Sequence, residues 1–153
     1  MRAGVRLGVD AGKARVGVAV CDRDGLLATP VATLNRGPGT VGDLRALVDE
    51  YEAVEVVVGL PLSLRGDDTA STEDARALAG ELAAAVDVPV RMVDERLSTV
   101  SAQRALHQSG RSVKASRAVI DQVAAVIILQ NALDFERSAG RPPGTVVEQH
   151  GGR

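Results

Sequence analysis

Three carboxylates stand where an ordinary core would take valine or leucine. Asp10 closes the apolar run VRLGVD, Glu95 follows VPVRMVD, and Asp121 lies inside VIDQVAAVIIL. A charged carboxylate buried without a partner costs several kcal/mol or takes up a proton, so three acids turned inward from distant segments point to a cation that collects them. An all-oxygen donor set suits Mg²⁺ or Mn²⁺. Singly, each acid has an ordinary explanation: Asp10 as a strand-end turn cap with Gly12, Glu95 as a salt-bridge partner of Arg96, and Asp121 as an early-helix acid favoured by the macrodipole. Asp94 competes with its neighbour Glu95 for the same role, and strand alternation in the sequence does not choose between them.

The elements that must position these acids follow from pattern. VRLGVDAG, RVGVAVCD and LLATPVATL read as three short strands, with Asp22-Arg23-Asp24-Gly25 supplying turn chemistry in a meander. Thr40 and Asp43 have capping-box spacing before the helix LRALVDEY, and VEVVVGL reads as a strand buried on both faces. Ser71 and Asp74 repeat the capping signal before a helix to about Val86, and VPVRMVD is the fifth strand. A helix over 98–109 closed by Gly110, a polar loop GRSVKAS, and a long helix over 117–137 complete the order βββαβαβαα.

That order implies one α/β domain over 1–138 built on a mixed five-stranded sheet, an antiparallel meander plus parallel strands, flanked by helices. Residues 139–153 read as a flexible tail. Parallel strands bring their C-terminal ends to one edge, where Asp10 and Glu95 can meet. Asp121 must arrive from the last helix, and its neighbours Ala124, Ala125 and Ile128 form an apolar stripe that turns it toward the sheet.

The chain has 153 residues, 45% of them hydrophobic, enough for one covered core. Its single cysteine, Cys21, excludes an internal disulfide and a Cys-rich zinc site, which makes the reducing cytoplasm the simpler expectation. VAAVIIL is too short an apolar run to span a bilayer, and the start of the chain shows no signal-peptide pattern. Net charge is −2, which argues against coating a polyanion wholesale. The distribution differs: residues 37–90 hold three basic and eleven acidic residues, while 91–117 hold six and two, so positive charge accompanies the acidic motifs.

LGVDAGKARVGVAV, VVVGLPLS, VDERLSTVSA and VIDQVAAVIILQ, in this order, resemble the motifs of the YqgF/RuvX group of bacterial RNase H-like proteins, described as nucleases that mature the precursor of small-subunit ribosomal RNA. The resemblance spans nearly the whole chain except the tail. It implies an RNase H-like fold and carries the group's catalytic and metal-binding acids onto Asp10, Glu95 and Asp121. The chemistry expected of such a trio is phosphodiester hydrolysis assisted by two divalent ions.

Lys13 and Arg15 lie in the connection just after Asp10 and Arg96 follows Glu95, so these three are the expected phosphate contacts, ahead of Arg104, Arg111, Lys114 and Arg117. Gly59, Pro61 and Ser63 of the GLPLS loop leave a buried strand toward the same edge and are expected to shape the cleft. Aromatic residues amount to Tyr51 and Phe135, too few for base-stacking platforms, and His107 and His150 lack partners at metal-ligand spacing.

The expected partner is nucleic acid, with pre-16S ribosomal RNA first and a branched DNA junction as the alternative. A junction resolvase would need a homodimer, whereas RNA trimming is compatible with a monomer. An ATP-binding protein of the actin and sugar-kinase type shares a hairpin like VDAGKARVGVAV but needs two such domains. A non-catalytic interaction factor is the remaining class.

Overall fold

The computed structural model describes residues 2–63, 65–95 and 117–147, without the side chains of 117–120. Three strands open the chain: β1 (Arg6–Ala11), β2 (Arg15–Cys21) and β3 (Ala28–Asn35). After them come α1 (Thr40–Tyr51), β4 (Glu55–Leu60), α2 (Ala70–Ala85), β5 (Val90–Asp94), a helix here called α3 (Arg117–Ala139), and β6 (Thr145–Val146). The sheet order is β3-β2-β1-β4-β5-β6; β1, β4 and β5 run parallel, and the meander and β6 are antiparallel. The helix expected over 98–109 lies outside the described residues, as do His107 and His150.

Strand alternation sorts the core into two clusters. Leu7, Val9, Val16, Val18, Val56, Val58, Val90 and Met92 face α1 and α2, where Leu44, Leu78 and Leu82 close over them. The opposite face meets α3: Ala19, Cys21, Val57 and Val93 pack against Ala125, Ile128, Leu129 and Leu133. Cys21 is therefore a core thiol, and burial raises its pKa.

Three expectations are corrected. The sheet has six strands rather than five, because Thr145 and Val146 pair with Met92 and Arg91, so the segment read as a loose tail contributes an edge strand. α1 has no side-chain cap: Thr40 is already helical, and its hydroxyl donates to the Asn35 carbonyl and accepts from the Gly37 N–H. The second capping box is Thr69 with Thr72, not Ser71 with Asp74. Asp74 instead binds both terminal nitrogens of Arg36 at 2.9 Å, tying α2 to the end of β3.

At the N-terminal edge of the parallel strands an ion network fastens the end of α3. Arg2 bridges Glu55 and Glu136, Arg91 donates to Glu55 at 2.6 Å, and Arg6 reaches Glu136 at 3.4 Å. Arg6, Glu55 and Glu136 are all buried. Burying so much charge is tolerable only because each carboxylate meets more than one guanidinium.

Candidate active site

The acids collect at the other end of α3. Asp10 is paired across the ladder with Gly17, and a Cβ on Gly17 would lie 2.0 Å from the backbone oxygen of Asp121. Asp121 thus sits on the bare backbone of β2, next to Asp10. Gly8 is equally necessary, since its Cβ would lie 2.6 Å from the Leu129 Cβ. A third glycine receives the third acid: a Cβ on Gly59 would stand 2.9 Å from Glu95 Oε2 and 2.6 Å from Ile128 Cδ1. Glycines from three adjacent strands therefore make one flat floor on the α3 face, against which a helix can approach closely.

Glu95 lies just beyond β5, and its carboxylate turns back over Gly59 on the face that holds Ile128 and Asp121. Asp94 pairs with Leu60 and follows Val90 and Met92 in the alternation, which belong to the opposite cluster.

The electrostatics tie the three acids into a chain. Burial, with help from the charge of Asp121, pushes the Asp10 carboxyl up to about 6. Burial, followed by the charges of Asp10 and Asp94, pushes Glu95 up to about 7. Asp10 is the shared member: it feels Asp121 on one side and acts on Glu95 on the other. Among the described residues, however, no three acidic, cysteine or histidine side chains stand close enough together to grip a single ion. The three acids offer only hard carboxylate oxygens, the kind of donor that Mg²⁺ and Mn²⁺ select.

The basic residues distribute unevenly. Arg15 opens β2 and its Nε donates to Asp121 Oδ2 at 2.9 Å, so it is engaged with an acid of the site. Lys13 is exposed in the connection between β1 and β2, which the Gly12 N–H closes on the Arg15 carbonyl at 3.0 Å. Arg96, Arg104, Arg111 and Lys114 lie outside the described residues, as does the side chain of Arg117. In the GLPLS loop the Pro61 carbonyl accepts from the Thr72 hydroxyl, which anchors the loop to α2. The Ser63 hydroxyl accepts from the Asp67 N–H at 3.0 Å, so it closes its own turn.

Sequence reasoning passed over Gly8 and Gly17 and gave Gly59 a cleft-shaping role; in the structure all three make room for α3 or for an acid. Their placement on one sheet face, each alternating with buried valines of its own strand and opposite a helix carrying an acid, is the signal that could have found them. It also passed over a cavity of about 370 Å³ beside Glu95, floored by Val93, Ile128 and Ala132 and bordered by Phe135.

The RuvX family model, described as a Holliday junction resolvase, matches residues 4–135. A protein of Clavibacter michiganensis named "Putative pre-16S rRNA nuclease" is 57% identical over 98% of this chain and 95% of its own length. A protein of the same name from Streptomyces coelicolor is 55% identical over 97% of this chain and 90% of its own. Among solved structures, Thermus thermophilus RuvC in complex with a Holliday junction substrate superimposes with a TM-score of 0.64 at 18% identity, covering 93% of this chain and 99% of that one. At that identity the likeness is one of fold. On the family match across residues 4–135, and on relatives more than half identical along nearly their whole length, this chain belongs to the RuvX family.

Proposed function

We propose that this chain is a metal-dependent nuclease that hydrolyses phosphodiester bonds of structured RNA, with the precursor of 16S ribosomal RNA as substrate. The observation that carries this reading is the placement of Asp10 between Asp121 and Glu95 on one glycine-floored face, with two of the three carboxyls held above their usual range. Carboxylates crowded where water is scarce form a site of strong negative potential, which a divalent cation relieves. Asp10, Glu95 and Asp121 would hold Mg²⁺ or Mn²⁺, and the strand face shared with Gly59 and Ile128 supports Glu95 over Asp94 in this role. Two such ions supply, when bound, an activated water and charge stabilisation at the departing oxygen.

The residues of the chain then divide the work. Asp10, the shared acid, belongs between the two pairs, and Gly59 and Gly17 let Glu95 and Asp121 approach it. Lys13, exposed in the connection that follows β1, is assigned to a substrate phosphate, as are Arg15 and Arg96. Pro61 and Ser63 shape the rim through the turn that α2 anchors. The nuclease domain covers 1–138, extended by the edge strand β6.

The relatives' names favour RNA, while the family description favours a four-way DNA junction as the second reading. The decisive experiment compares wild type with Asp10→Asn, Glu95→Gln and Asp121→Asn on precursor 16S RNA and on four-way junctions, with Mg²⁺, Mn²⁺ or chelator. The reading expects RNA cleavage that needs the ion and falls by at least about a hundredfold in each variant, the scale of losing transition-state charge stabilisation. Equal cleavage by wild type and variants would sink it, and cleavage of junctions alone would transfer it to DNA.

A further inference from the structure

Arg15 occupies an unusual place for a residue assigned to phosphate. It begins β2, where register with Asn35 and alternation with Gly17 and Ala19 put it on the α3 face. There its Nε meets Asp121 Oδ2 at 2.9 Å, with the two side chains 32% and 24% exposed. The pairing follows from the packing of α3 on Gly17, which delivers Asp121 to this spot. One of the three acids is thus already neutralised by a cation of the chain itself, while Asp10 and Glu95 keep raised carboxyls.

A guanidinium and a divalent ion compete for one carboxylate, because each satisfies its charge and each repels the other. The pair is accessible enough to exchange partners, unlike the buried Arg6–Glu136 contact at the far end of the same helix. A guanidinium released from Asp121 stays anchored on β2, two residues from Gly17, the ladder partner of Asp10. Its planar fork matches two oxygens of a phosphate.

Building on the nuclease reading above, we propose that Arg15 is an exchangeable partner of Asp121: it covers that carboxylate until Asp121 turns to a divalent ion, and then moves to the substrate phosphate. Metal loading and nucleic-acid binding are thereby coupled through one side chain. Coupling of this kind is reciprocal, so each should strengthen the other.

The test measures Mn²⁺ binding by calorimetry on the full chain, for wild type, Arg15→Gln, Arg15→Lys and Asp10→Asn. Each is repeated with an uncleavable RNA duplex, and thermal melts check folding. The expected result is Mn²⁺ affinity roughly five- to tenfold tighter in Arg15→Gln, within the usual range of such couplings. RNA affinity should rise with Mn²⁺ in wild type and much less in Arg15→Gln, with Arg15→Lys between. Unchanged or weaker Mn²⁺ binding in a folded Arg15→Gln, beside normal binding by wild type, would make Arg15 a structural support and overturn the exchange. Equal Mn²⁺ binding by wild type and Asp10→Asn would instead remove the metal site itself, and the exchange with it.

Discussion

A Cβ on Gly17 would stand 2.0 Å from the backbone oxygen of Asp121, so the acid on α3 reaches Asp10 only because β2 carries no side chain beneath it. Gly17→Ala must therefore push α3 away from the sheet. The expected loss is about 1–3 kcal/mol of stability, the usual cost of overpacking, together with a fall in cleavage as Asp121 withdraws. Gly80 in α2 is the control, since a Cβ there meets nothing within 4 Å. Gly80→Ala should stabilise by about 0.5–1 kcal/mol through helix propensity alone. Urea denaturation of both variants checks the pair.

Burial of the acids, reinforced by their mutual repulsion, predicts a stability that declines toward neutral pH. Asp10 and Glu95 rise from ordinary values of 3.8 and 4.5 to about 6 and about 7 in the folded chain. Between those limits the folded state holds more protons than the unfolded one, so stability falls as pH rises through the window and is full below it. Glu95→Gln should flatten that decline, being nearly neutral near pH 4.5 and stabilising near pH 8. Denaturation midpoints in chelator across this range provide the measurement, and parallel curves for wild type and variant would contradict the prediction.

Glu136 predicts the opposite dependence in a different range. The Arg2 guanidinium beside it holds its carboxyl down at about 2, below an ordinary 4.5. Its contribution is therefore complete above pH 4.5 and is lost as pH falls toward 2. Glu136→Gln should destabilise by about 3–5 kcal/mol at neutral pH, because Arg6 is left buried with its charge uncompensated. The difference from wild type should narrow on acidification, which acid-range melts will show.

The corrected cap of α2 separates two nearby residues. Thr69→Ala removes the side chain that accepts from the Thr72 N–H and should cost about 1 kcal/mol. Ser71→Ala, at the second residue of the helix and exposed, should change stability by less than about 0.5 kcal/mol. Equal effects would return the cap to the position suggested by spacing.

By itself the sequence determined the order of elements from β1 to β5, the long last helix, the parallel centre, the two-faced core and the three acids worth watching. These are local matters: a period of two in VRLGVD, valine runs in VEVVVGL, and an apolar stripe from Asp121 to Ile128 need no knowledge of what lies opposite. Only the tertiary structure showed which acid follows which strand face, because Glu95 stands just past the end of β5 and only the contact of its carboxylate with Gly59 shows that the alternation of β5 continues through it. It alone revealed that Gly8, Gly17 and Gly59 form a common floor, that Arg15 sits on Asp121, and that Thr145 and Val146 extend the sheet. Each of these joins residues far apart along the chain, and the energy that selects them is close packing and charge pairing across the fold, which no stretch of sequence holds alone.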